Sequence, residues 1–198
     1  MRDARLVAAA MMIVLYGTRS LSAQSSNSHR VGFYGSIGGG YGIPTLTFSD
    51  PTTGVTKSTG GGGTWYAVFG VSVSPRVALG VEWNAAMTGC EPDCSRDMLN
   101  YYTAAFTYRL SATNGFYAKI NLGYGGEALS GGTTASEGGF AGGVGLGYDW
   151  HVGSRGFVVK GFVNYFAQFS AAAYSGDLTG DTGRTALWQF GVGIGYAR

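Results

Sequence analysis

Two cysteines, two histidines and a handful of inward-facing charges are the residues with most scope for chemistry in this chain. Cys90 and Cys94 bracket Glu91-Pro92-Asp93. As thiolates, with Glu91 or Asp93, they are the donor types of a metal site, but no histidine lies nearby in the sequence. As an oxidised pair they close a very short loop, a bridge that adds about 2 kcal/mol in the chain-entropy view. In an exported protein the disulfide Cys90–Cys94 is the favoured reading. His151 has Ser154 close behind it, the raw material for a base and a nucleophile. His29 stands alone in a polar stretch, and neither a Gly-x-Ser-x-Gly elbow nor a His-Glu-x-x-His helix occurs. Gly60 to Gly63 lack the Lys-Ser/Thr of a phosphate loop. The chain therefore reads as non-enzymatic, with no cofactor and no metal.

The elements that position these residues begin after a leader. Arg2 and Arg5 precede the apolar run Leu6 to Tyr16, and Ser20-Leu21-Ser22-Ala23 follows it. That order is expected of a secretory signal peptide, residues 1–23, cleaved near Ala23, with residues 24–198 forming one domain. No Cys stands immediately after the cut, so no lipoprotein anchor is expected. Three Arg and one Asp leave with the leader, which takes the formal net charge from +2 to zero. A neutral chain is a poor nucleic-acid binder, and none is expected. Charged residues make up 12% of the chain, about half the usual share, while its 36 Gly exceed twice the usual share. So little charge scarcely covers a water-facing surface.

From Val31 onward apolar and small or polar residues alternate with period two, the signature of strands. Eight such runs can be counted. Phe33, Ile37 and Tyr41 alternate with Tyr34, Ser36 and Gly38; Trp83 and Val81 with Glu82 and Asn84; Ile120 and Leu122 with Lys119 and Asn121; Val192, Ile194 and Tyr196 with Gly191, Gly193 and Gly195. Three connections are tight (Ser74-Pro75-Arg76, Ser111 to Asn114, Gly153-Ser154). Four are long (44–61, 88–97, 126–137 and 170–183) and rich in Gly, Ser, Thr and Asp. Short turns at one end and long loops at the other predict an all-β, eight-stranded antiparallel up-and-down transmembrane β-barrel, its turns periplasmic and its loops extracellular. A soluble lipocalin-like barrel also has eight alternating strands but turns its apolar face inward. Its exterior here would carry only Glu82, Arg109, Lys119, Asp149 and Lys160 as clear charges, which suits a narrow lumen far better.

In a lumen those five charges must pair, because a lone buried charge costs several kcal/mol. Asp149 and Lys160 flank a tight turn and count as diagonal neighbours; Glu82, Arg109 and Lys119 have no readable register. A salt-bridged plug is the expected outcome, with an ion-selective path as the rival. The inward Gly leave volume that water or aromatic side chains must fill. The long loops carry Asp50, Glu91, Asp93, Asp97, Glu127, Glu137, Asp177 and Asp181 against Lys57, Arg96 and Arg184, an acidic rim read as a solubility device rather than a cation site. Arg30, Arg76, Arg155 and Arg198 gather at the other end.

Over Arg30 to Arg198 the chain resembles the small eight-stranded outer-membrane proteins of the A, X and W kind. The closing segment Phe190 to Tyr196 resembles the C-terminal assembly signal of that class, with Gly191, Ile194 and Tyr196 at its spacing and Ala197 and Arg198 beyond it. The resemblance implies the outer membrane of a Gram-negative-type envelope, with outer-membrane lipid and lipopolysaccharide around the barrel and the barrel-assembly machinery as a partner during biogenesis. A structural or surface-contact role follows, with an extracellular ligand taken by the loops. The alternative is a narrow channel or a carrier of small or hydrophobic solutes.

Overall fold

A computed structural model describes residues 31–50, 54–87, 98–128, 136–153, 156–170, 172–173 and 182–197. Ten strands make one antiparallel sheet: β1 (Gly32–Asp50), β2 (Gly54–Thr59), β3 (Gly62–Ser72), β4 (Val77–Met87), β5 (Met98–Arg109), β6 (Phe116–Ala128), β7 (Ser136–Val152), β8 (Phe157–Gln168), β9 (Ala172–Ala173) and β10 (Thr182–Ala197). Each barrel strand pairs with its neighbour, and β1 pairs with β10 from Tyr34↔Ala197 to Ser49↔Thr182, which closes the sheet on itself. The barrel therefore has eight staves, β1, β3, β4, β5, β6, β7, β8 and β10. The short β2 and β9 extend it at the long-loop end.

Where a loop was expected at 44–61, the chain instead forms a hairpin. β1 runs on to Asp50 and β2 returns beside it, Thr45↔Thr59 to Asp50↔Gly54. The β1–β3 ladder stops at Gly42↔Gly62, and the register across the break is unchanged. The gap faces Pro44, which has no N–H to give; only the Gly60 N–H reaches across, to the Pro44 carbonyl at 3.2 Å. β2 and β3 are thus one stave interrupted opposite a proline. β7 and β10 likewise reach into the expected loops, with 17 and 16 residues. The staves β3 and β4, at 11 residues each, match the roughly 9–11 that a tilted strand needs to cross a bilayer.

The tight end is capped locally. Ser74 Oγ accepts hydrogen bonds from the backbone of Arg76 (3.3 Å) and Val77 (3.0 Å). Asn114 Oδ1 accepts from Phe116 N at 2.9 Å. The third turn uses Gly153 (φ +70°) and Gly156 (φ +86°), a backbone region that side chains disfavour.

Every stave carries large, apolar and exposed residues on its outward face: Ile37, Phe69, Val81, Phe106, Leu122, Leu146, Phe157 and Ile194 among them, with Val81 and Leu146 each at 66%. Ordinary soluble surfaces carry apolar patches of only about 300–600 Å². Aromatic contacts stand at both ends of this band, Phe116–Tyr148–Trp150 and Phe157–Tyr196 near the turns, Tyr165–Trp188–Phe190 toward the loops. This is the exterior of a transmembrane barrel: lipid-facing in the middle, aromatic at the interfaces.

Close approach of staves fixes some glycines. A side chain on Gly40 would run into the Phe190 carbonyl and Gly191 Cα, whereas one on Gly63 would meet nothing within 4 Å. Gly40→Ala is expected to destabilise the barrel by about 1–3 kcal/mol, the cost of overpacking against backbone that cannot yield. Gly63→Ala should stay within about 0.5 kcal/mol of the parent. Urea unfolding from lipid vesicles measures both.

Candidate functional site: the barrel interior

Inward positions hold aromatic rings, uncharged amides and hydroxyls, and a small group of charges. Aromatic rings lie over the inward glycines. Tyr66 packs against Gly38 and Gly193, Tyr117 against Gly147, Tyr101 against Gly125, Phe166 against Gly143 and Phe162 against Gly191. The volume left by the glycines is therefore taken up by neighbouring rings. Tyr66 meets Phe162 edge to face at 4.6 Å, and Tyr101 stacks on Phe166 at 5.1 Å. At the loop end Leu99, Tyr101, Phe166 and Leu187 form a fully buried cluster. The interior here is filled by side chains.

Between the rings run amides and hydroxyls. Asn164 Nδ2 donates to Gln189 Oε1 at 3.0 Å, and Gln189 Nε2 to the Trp65 carbonyl at 3.3 Å. Gln168 Oε1 accepts from both Thr185 N and Thr185 Oγ1 at 3.1 Å. The Tyr101 and Thr185 hydroxyls lie 2.9 Å apart. Asn121 Nδ2 donates to Thr103 Oγ1 at 2.9 Å. Alternation places all of these inward; their uncharged side chains gave no reason to single them out.

The five charges lie toward the turn end. Lys119 on β6 reaches past β5 to form an ion pair with Glu82 on β4, both almost wholly buried. Asn84 Nδ2 donates to the same carboxylate oxygen at 2.9 Å. Lys160 Nζ stands 3.0 Å from Asp149 Oδ1 and 4.9 Å from the centre of the Tyr117 ring. The two residues are directly opposite in the ladder, not diagonal, because the turn pairs Val152 with Phe157 and the count runs on from there. Arg109, at the end of β5, is 3% exposed, and its Nη1 donates to Ser72 Oγ at 3.4 Å. It does not join Glu82 and Lys119 in an ion pair. Removing one partner of either pair strands a charge in a medium that solvates it poorly.

Of the closing segment, Ile194 and Tyr196 face outward while Gly191 faces inward against Phe162. His151 sits at the turn end of β7, opposite Val158. Ser154, His29, Cys90, Cys94 and residues 1–23 lie outside the described residues, as do the side chains of the acidic rim.

No family model matches the chain, and no curated protein sequence matches it. Solved structures do match. Neisserial surface protein A superposes with a TM-score of 0.52 at 14% identity, over 84% of this chain and 97% of that one. Ail, the attachment invasion locus protein of Yersinia pestis, gives 0.52 at 16%, over 84% of this chain and all (100%) of Ail. The outer membrane protein OprG of Pseudomonas aeruginosa gives 0.52 at 13%, over 88% of this chain and 100% of OprG. At such identities the likeness is one of architecture. The protein has the fold of the small eight-stranded outer-membrane β-barrels, with short turns at one end and long loops at the other.

Proposed function

We infer that the protein is a non-enzymatic barrel of a Gram-negative-type outer membrane, delivered there after cleavage near Ala23, whose role is structural or one of contact at the cell surface. The observation that carries this reading is the filled interior: Tyr101, Phe166, Leu99, Leu187, Gln189, Asn84, Asn121 and Asn164 are all fully buried inside the staves. A lumen packed in this way leaves the loops, and the staves that rise into them, as the surface on which a partner acts. The fold shared with Neisserial surface protein A and with an attachment invasion locus protein agrees with it. Lipopolysaccharide and outer-membrane lipid surround the apolar band, the barrel-assembly machinery inserts it, and an extracellular ligand meets the loops.

Planar-bilayer conductance of the refolded mature protein tests this, with heat-modifiable gel mobility as proof of folding. A folded and electrically silent barrel is the expected result. Discrete openings that change on Glu82→Gln or Lys160→Met would overturn it in favour of a charge-lined channel.

A further inference from the structure

Among the described residues, three cations and two carboxylates lie inside the turn half of the barrel, and each carboxylate is ion-paired with a lysine. Glu82 is held by Lys119, and Asp149 by Lys160. Arg109 is left over. Among the described residues it forms no ion pair; its Nη1 contact to Ser72 is long at 3.4 Å, and its Nε has no hydrogen-bond partner although the residue is only 3% exposed. Tyr34, 7% exposed, has the Thr107 side chain as the hydrogen-bond partner of its hydroxyl. Arg109 and Tyr34 line the same small cavity, of about 20 Å³. Lys119, Lys160 and Thr107 line it too, Glu82 is the one carboxylate in its wall, and Val68 and Phe162 close it with apolar surface.

We propose that this cavity is a binding site for a single monovalent anion of halide size, chloride in the cell. Three features select that class of ligand. The wall is rich in donors, and the group of five charges carries one excess positive charge that no other described charged side chain offsets. The volume admits one particle the size of a water molecule, which needs about 10–15 Å³, so tetrahedral oxyanions are too large. A water molecule fits but leaves the charge of Arg109 uncompensated, whereas an anion compensates the guanidinium and accepts a hydrogen bond from the Tyr34 hydroxyl beside it. The site is separate from the loop surface and does not depend on what the loops bind.

The test is bromide substitution. Crystals of the refolded barrel grown in bromide should show an anomalous peak in the cavity, and Arg109→Met should lose it while keeping heat-modifiable mobility. Tyr34→Phe, which preserves the ring and removes only the hydroxyl, should lower the peak, and it serves if Arg109→Met fails to fold. In solution the unfolding midpoint of the parent should be higher in chloride than in gluconate at equal ionic strength. The Arg109→Met barrel should show no such difference. Bromide found only outside the cavity, or a midpoint indifferent to the halide, overturns the site. Conductance reports on the closed lumen separately, so either reading can fall alone.

Discussion

Lys119→Met should be among the most damaging single substitutions in the barrel, with a loss of about 3–5 kcal/mol. The side chain it replaces is 7% exposed and faces a Glu82 carboxylate that is 1% exposed. Without the ammonium, Glu82 keeps hydrogen bonds from the neighbouring amides of Asn84, at 2.9 Å, and Asn121, and loses its direct counterion. The carboxylate must then stay charged without its counterion or take up a proton, and both cost stability. The double variant Glu82→Leu, Lys119→Met separates this from a packing effect. Removing both charges in favour of apolar groups of similar volume is commonly neutral or stabilising. Recovery of most of the loss in the double variant, measured by urea titration in lipid vesicles, is the expected outcome; a double variant as poor as Lys119→Met alone would place the effect in packing instead.

Leu122→Arg should also have a large effect, for a reason that belongs to the surroundings and not to the interior. Leu122 lies near the middle of β6, faces outward and is 53% exposed. On a water-soluble barrel an exposed leucine replaced by arginine changes stability by no more than about 0.5 kcal/mol. On a lipid-facing stave near the bilayer midplane the same change costs about 2–4 kcal/mol. Unfolding measured from lipid vesicles therefore reports which medium the outward face meets. A near-zero change would contradict the assignment of the apolar face to lipid.

Much of the architecture could be read directly from alternation. The partition of Phe33, Ile37 and Tyr41 from Tyr34 and Ser36 follows from the pleat, which sends successive side chains to opposite faces. Which face meets lipid followed from the scarcity of charge on the other. Register was less accessible. Lys119 finds Glu82 across an intervening stave, and that meeting depends on how far β5 slides against both neighbours, which is set jointly by the turn at 110–115 and the connection between β4 and β5. Composition misled at 44–61, where Gly, Ser and Thr indicate a loop. Once β10 supplies a paired edge alongside Thr45 to Ser49, backbone hydrogen bonds extend the strand whatever the side chains. The filling of the lumen was undecided for a different reason. Inward glycines define a gap, but only the placement of Tyr66, Tyr117 and Phe162 on neighbouring staves closes it.

The seam between β1 and β10 has a kinetic consequence. It joins Tyr34 to Ala197 and Ser49 to Thr182, the first described stave to the last. Contacts so distant along the chain are slow to form, and in a bilayer there is no water to satisfy the edges in the meantime. Every N-terminal fragment short of β10 leaves two rows of unpaired N–H and C=O groups facing hydrocarbon. Insertion must therefore wait for β10, and truncation before it yields an unassembled polypeptide, not a smaller barrel.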